Sequence, residues 1–69
     1  MQPYQQRVVD EKNELYAKAS ALSTFISINA QFDTLDPKQQ ELLKEQNDVM
    51  WQYYEILVKR ISLFNKESN

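Results

Sequence analysis

Apolar residues recur every three to four positions over two long stretches of the 69-residue chain, a spacing typical of amphipathic helices. A proline stands at the start of each stretch, Pro3 and Pro37, where it is tolerated because the first helical residues need no backbone N–H partner. Asp36 stands just before Pro37, and Gln39 stands three residues after Asp36, which is close to the capping-box pattern of a helix start. The pattern therefore predicts helices over about 3–29 and about 37–64.

The segment 30–36 between the two helices is short, and we predict a turn there. A short connection makes consecutive helices antiparallel neighbours. The chain has no glycine, no internal repeat and no second periodic unit. We therefore predict one all-α domain over residues 1–69: an antiparallel two-helix hairpin with a frayed polar tail from Asn65 onwards.

The apolar surface of the second helix is too wide for one partner helix. On a helical wheel it covers an arc of about 220°, whereas roughly 100° is enough to face one neighbour. The centre of the arc holds Leu43, Met50, Tyr54, Leu57 and Ile61, and its flanks hold Leu42, Val49, Trp51, Tyr53, Ile56, Val58 and Phe64. Because soluble monomers rarely expose so large a patch, we predict that hairpins assemble into a homo-oligomeric helical bundle with this aromatic-rich surface as its core.

Composition excludes several classes of function. The chain has no cysteine, no histidine and a net charge of −2, so disulfides, the usual zinc ligands and histidine-dependent triads cannot be built from it. An acidic chain is a poor match for polymeric nucleic acid, which is bound by basic faces. No apolar run reaches the about 20 residues of a membrane span. We predict a soluble intracellular protein with no metal, cofactor, polymeric nucleic acid or membrane partner. It is not expected to be an enzyme, because no nucleophile, metal cluster or phosphate loop accompanies its carboxylates.

Tyr4, Arg7, Glu11 and Lys18 form a narrow stripe along the first helix, called here the polar seam, because they are spaced i, i+3, i+7 and i+14. Tyr4 beside Arg7 offers a flat stacking surface next to a phosphate-binding cation. Arg60 lies in the apolar arc near the end to which antiparallel packing also brings Arg7, which indicates an anion site. Three structural alternatives stay open: an ion pair of Arg7 with Glu11, an ion pair of Arg60 with a carboxylate of a neighbouring subunit, and extension of the Lys18 side chain over apolar surface.

The run 3–15 (PYQQRVVDEKNEL), followed by a second helix that ends in 57–61 (LVKRI), resembles small phage-encoded proteins that share a helical hairpin with the anti-CBASS and anti-Thoeris cyclic-nucleotide sponges. The resemblance covers nearly the whole chain. It implies a protein that sequesters cyclic nucleotide messengers of bacterial immunity without cleaving them, in the cytoplasm of the infected bacterial host.

The compact anti-CBASS members are helical hexamers with cyclic-dinucleotide pockets between protomers and a separate pocket type for cyclic trinucleotides. The resemblance implies a tyrosine that stacks on a base and a lysine that meets phosphate. Tyr4 and Lys18 match these positions, with Lys12 as an open alternative. The anti-Thoeris relatives usually carry a β-rich segment that this chain lacks, which argues against cyclic ADP-ribose isomers. We expect a hexamer that binds a cyclic di- or trinucleotide through Tyr4, Arg7, Val8, Glu11, Lys18 and Arg60.

Helical geometry favours a pocket shared between subunits. Arg7 and Lys18 are eleven residues apart, about 16 Å along one helix, too far to grip a single phosphate from one chain. The rival hypothesis is a purely structural or inhibitory module that lays its apolar helix face on a host or phage protein.

Overall fold

The computed structural model describes residues 1–67, which form an elongated helical hairpin with extents of 52 × 15 × 14 Å. Helix α1 spans Pro3–Ile28 and packs antiparallel against α3, Pro37–Ser62. A one-turn helix, α2, spans Ala30–Asp33 between them, and α4, Phe64–Glu67, follows α3. The predicted all-α hairpin is thereby confirmed, whereas the oligomeric bundle stays a prediction because a single chain is described.

Both long helices begin where the sequence predicts. The backbone N–H of Gln2 donates to Gln5 Oε1 at 2.8 Å ahead of Pro3, and the Asp36 carboxylate accepts a 2.8 Å hydrogen bond from the backbone of Lys38. Each bond satisfies one of the backbone N–H groups left without partners at a helix start.

The connection between the long helices is not the plain turn that the sequence predicts. Asn29 caps α2, since its side chain accepts a 2.8 Å hydrogen bond from the backbone N–H two residues later. The helical turn buries Phe32, whose ring forms a T-shaped contact with the ring of Phe25, with centroids 6.0 Å apart. Gln40 Nε2 then donates to two carbonyls of the connection, at 3.0 and 3.1 Å. Burial of one aromatic ring therefore gives this segment a fixed helical shape.

The predicted frayed tail is also partly wrong. Phe64 is buried and begins α4, so after a turn at Leu63 the chain is helical again through Glu67. The ring of Phe64 packs into the hairpin core with Leu57 and Val8, which holds this last turn in place. Residues 68–69 of the predicted tail lie outside the described residues.

The long helices pack through positions spaced alternately three and four residues apart, the spacing of a coiled-coil seam. We call these buried and half-buried positions the core seam: Gln5, Val8, Lys12, Leu15, Ala19, Leu22 and Ile26 on the first side, and Gln40, Leu43, Asn47, Met50, Tyr54, Leu57, Ile61 and Phe64 on the second. The five residues predicted at the centre of the α3 arc all belong to it. Phe64, predicted on a flank, belongs to it as well.

A polar network crosses the core seam. Asn47 Nδ2 donates to the backbone carbonyl of Ala19 at 3.0 Å, and Asn47 Oδ1 accepts from Ser23 Oγ at 2.9 Å. Ser23 Oγ in turn accepts from Trp51 Nε1 at 3.1 Å. Ala19 is fully buried, and its small side chain lets Asn47 approach the α1 backbone. An asparagine in such a seam fixes the register of the two helices.

The hairpin buries little apolar surface for its length. Its radius of gyration is 15.6 Å, whereas a compact domain of this size has about 11 Å. Among the described residues six apolar side chains are buried. Two helices side by side offer each other one stripe only, so the flanks of the wide apolar arc remain exposed, at Leu42, Val49, Tyr53, Ile56 and Val58.

Candidate ligand-binding face

The hairpin has two broad faces. A contact between two aromatic rings shows which residues of α1 and α3 lie on the same face. Tyr16 follows the core residue Leu15, and Trp51 follows the core residue Met50. The rings of Tyr16 and Trp51 meet edge-on with centroids 5.7 Å apart. Residues one position after the core seam therefore lie together on one face, the aromatic face. Residues one position before it lie together on the opposite face, called here the seam face.

The predicted polar seam lies on the seam face. Its four members each stand one position before a core-seam residue of α1, and all four are exposed: Tyr4, Arg7, Glu11 and Lys18. The structure therefore places the four side chains on one exposed face, and the residues that make the helix contact itself lie one position further along the chain.

The register of the hairpin places the two predicted arginines at the same end. Tyr4 lies level with Phe64, with ring centroids 5.9 Å apart and planes at 73°. Arg7 is about one turn further into α1, and Arg60 about one turn back along α3, so both lie on the seam face near the open end of the hairpin. Both side chains are exposed. Their part in holding an anion stays a prediction.

Neither Arg7 nor Lys18 of the polar seam forms an ion pair with another described side chain. The ion pair found among the described side chains is Lys38–Glu41 at 3.9 Å. The alternative that Arg7 pairs with Glu11 is therefore not what the described hairpin shows. An exposed cation on a helix surface is available to a ligand or to a second chain.

Tyr4, Val8 and the two candidate lysines differ in their surroundings. Tyr4 is 43% exposed and touches Phe64 by an edge-on ring contact, so its ring is partly held in place. Val8 is buried in the core cluster, where it packs beneath the polar seam, and its contact with a ligand stays a prediction. Lys12 is a half-buried core-seam residue, whereas Lys18 shares the exposed seam face with Tyr4. Of the two lysines, Lys18 is better placed for a ligand on that face.

The seam face also carries a regular stripe that runs along α3 and ends at the residue after it. The sequence pattern alone did not distinguish this stripe from the wider apolar arc. Its positions are spaced alternately four and three residues apart, and we call it the second stripe: Leu42, Gln46, Val49, Tyr53, Ile56, Arg60 and Leu63. Its five apolar members are between 41% and 56% exposed. The signal in the sequence was the repeat of Leu42, Val49, Ile56 and Leu63 at intervals of seven.

Other kinds of site are not found in the part of the chain that the structure describes. The described side chains include no group of three or more His, Cys, Asp or Glu residues arranged to hold a metal ion, and they form no pocket. No helix among the described residues combines the length and apolarity needed to cross a membrane.

An antiparallel hairpin of two long helices, with Tyr4, Arg7, Glu11 and Lys18 exposed on one face, defines a small all-α hairpin protein. The chain belongs to the Sequestin family, whose model matches residues 2–63. It is similar to the "Uncharacterized 7.5 kDa protein in denB-rIIB intergenic region" of Enterobacteria phage T4, with 44% identity over 64 residues that cover 93% of this chain and 98% of the relative. No solved structure matches.

The family and the relative support the coarser predictions made from sequence. The relative is encoded by a phage, which supports the prediction of a phage protein. The family name indicates a sequestering role, which means binding rather than chemical conversion. The ligand is not identified by either comparison.

Proposed function

We propose that the protein is a phage immune-evasion sponge that binds cyclic oligonucleotide second messengers of the CBASS type and sequesters them without cleaving them. The observation that carries the proposal is the exposed polar seam, in which Tyr4 stands beside Arg7 at the open end and Lys18 lies on the same face. Membership of a family named for sequestration supports it.

The polar seam matches the chemistry of such a ligand. A cyclic oligonucleotide presents flat bases together with two or more phosphates, so it needs stacking surfaces and separate cations. Tyr4 supplies a ring face or edge for a base, worth about 1–3 kcal/mol where it stacks. Arg7 and Lys18 supply charge-assisted hydrogen bonds to phosphate oxygens. Because they lie about 16 Å apart on α1, we propose that copies of the chain share each pocket, in a homo-oligomer expected to be a hexamer.

The direct test measures depletion and recovery of ligand. Purified protein is incubated with cyclic di- and trinucleotides, free ligand is quantified after ultrafiltration, and bound ligand is released by heat. We expect stoichiometric depletion and recovery of the intact compound. Recovery of a linear or hydrolysed product would show an enzyme instead, and no depletion by excess protein would refute the sponge.

The exposed second stripe of α3 favours one other function, a structural or inhibitory module that lays its apolar helix face on a host or phage protein. The two functions differ in the ligand test, because such a module leaves every cyclic nucleotide free. They also differ in the residues that matter: the module depends on Ile56 and Val49 of the second stripe, whereas the sponge also depends on Tyr4 and Lys18.

A further inference from the structure

We infer that the second stripe is a self-association surface through which α3 of one copy pairs antiparallel with α3 of a second copy. The inference deepens the proposed function, on whose oligomer it rests, by naming the surface and orientation of one interface.

The second stripe has the geometry of a coiled-coil seam without a partner in its own chain. Its alternation of four- and three-residue steps is the repeat that lets two helices interlock along their length. From Leu42 to Leu63 it runs for about 32 Å. Val49 and Ile56 near its middle are 56% and 54% exposed, although both are β-branched residues that suit such packing. A contiguous apolar surface of this kind is typical of an interface.

The charges beside the second stripe select a second copy as its occupant. Glu45 and Lys59 border the stripe, each seven residues from Gln52, and both are exposed without an ion pair in the described residues. Antiparallel pairing centred at Gln52 sets Glu45 of each copy level with Lys59 of the other, so two opposite-charge contacts form by symmetry. Charged residues at these flanking positions decide partner and orientation in coiled coils.

Parallel pairing is unfavourable for the same residues. It would bring Arg60 of one copy beside Arg60 of the other within an apolar layer, and it would set Glu45 level with Glu45. Antiparallel pairing instead sets Arg60 level with the first half of α3, whose charged residues are Glu41, Glu45 and Asp48 together with Lys38 and Lys44, and of these Glu45 borders the stripe. The stripe is therefore complementary to itself only when the two helices run in opposite directions, as in an isologous two-fold interface.

The same two-fold axis has a consequence for the ligand. The polar seam of α1 lies on the same face as the second stripe, so pairing of the α3 helices also sets α1 alongside α1 of the second copy. The polar seams of two chains then face each other across one cleft. Apolar α3 contacts hold the copies together, and the cleft offers cations from both chains.

A charge-swap experiment tests the orientation. Glu45→Lys and Lys59→Glu each place like charges opposite one another in the antiparallel pair, and we expect each to weaken association by about 3- to 30-fold at low salt. The double variant Glu45→Lys/Lys59→Glu restores opposite charges, and we expect association within about threefold of the original. Glu55→Lys on the aromatic face is the matched control. Sedimentation equilibrium gives the association constant of each variant. A double variant that associates no more strongly than the single variants overturns the inference.

Cross-linking gives an independent readout, because the chain has no native cysteine. With a short bismaleimide, Gln52→Cys should cross-link to itself, and a mixture of Glu45→Cys and Lys59→Cys should cross-link to each other. Efficient self-cross-linking of Glu45→Cys alone would show parallel pairing and overturn the inference. Neither readout uses a nucleotide. An oligomer that binds ligand but fails both tests therefore overturns this interface alone, whereas loss of ligand binding with both tests passed refutes only the sponge.

Discussion

At the scale of single residues, Asn47 joins the two long helices by a pair of hydrogen bonds inside the core seam, one to the Ala19 carbonyl and one from Ser23. Ser23 also accepts from the Trp51 indole, so the three side chains form one connected network. Networks of this kind are costly to break in part, because each polar group that stays buried loses its partner.

We therefore expect Asn47→Ala to lower the free energy of unfolding by about 1–3 kcal/mol. Each kcal/mol lowers Tm by about 4–8 °C in a domain of this size. Thermal melts followed by circular dichroism measure the change. Asp48→Ala, next to Asn47 but exposed, is the control and should stay within about 0.5 kcal/mol of the original. Equal melting temperatures for the two variants would contradict a role of the network in stability.

Substitutions in the polar seam are expected to weaken ligand binding. Tyr4→Ala should remove a stacking surface worth about 1–3 kcal/mol and weaken cyclic-nucleotide binding roughly 5- to 150-fold. Arg7→Ala and Lys18→Ala should weaken binding through lost phosphate contacts, and the affinity of the unmodified protein should fall as salt rises. Calorimetry gives the affinities, with light scattering to confirm that the oligomer is retained.

The matched control for the charge changes is Lys38→Ala, because Lys38 is an exposed lysine of α3 outside the polar seam. Its surface ion pair with Glu41 contributes little to stability. We expect Lys38→Ala to bind as the original does. If Tyr4, Arg7 and Lys18 variants remain assembled and also bind as tightly as the original, the site lies elsewhere even in a sponge.

At the scale of helices, the sequence predicted the ends of α1 and α3 well because local chemistry determines them. Pro3, Pro37 and Asp36 act within one turn, and their effects need no distant partner. The core face of α1 was harder to find. Gln5, Lys12 and Ala19 occupy three of its seven core-seam positions, so hydrophobicity alone does not outline the stripe. Asn47 and Ser23 likewise become partners only when two helices are aligned.

The short helix α2 also could not be predicted from the sequence alone. Nothing in its composition separates a loose turn from a helical turn, and what fixes it is the burial of one ring against α1. Lys44 adds a cation 5.8 Å from the centroid of the Phe32 ring. The closed end of the hairpin is therefore stabilised by tertiary contacts that a single-sequence pattern does not contain.

We expect Phe32→Ala to destabilise the protein by about 3–5 kcal/mol, the usual cost of removing a buried aromatic ring. That is a large part of the about 5–15 kcal/mol that keeps a domain folded. Gln31→Ala changes an exposed side chain of the same helix and serves as control. Urea titration gives both values, and an unchanged midpoint for Phe32→Ala would show that the closed end contributes nothing to stability.

At the scale of the whole molecule, stability and assembly should be coupled. The hairpin is a thin rod, and short chains bury too little surface to be comfortably stable alone. Substitution of Leu57 cannot separate assembly from folding. It is fully buried within a single hairpin, so a charge at this position would unfold the chain whether or not it assembles.

Ile56 and Val58, the neighbours of Leu57, separate the two effects. Ile56 is 54% exposed on the seam face and Val58 is 41% exposed on the opposite flank. We expect Ile56→Asp to place an unpaired carboxylate in the second-stripe interface, dissociate the oligomer and lower Tm.

We also expect the Tm of the original protein to rise with concentration, because association stabilises the folded state by mass action, and that dependence should weaken in Ile56→Asp. Val58→Asp should keep both the oligomer mass and the concentration dependence. Light scattering and melts over a hundredfold concentration range measure both quantities. A compact monomer of the original chain at micromolar concentration, with a Tm that does not depend on concentration, would contradict the coupling.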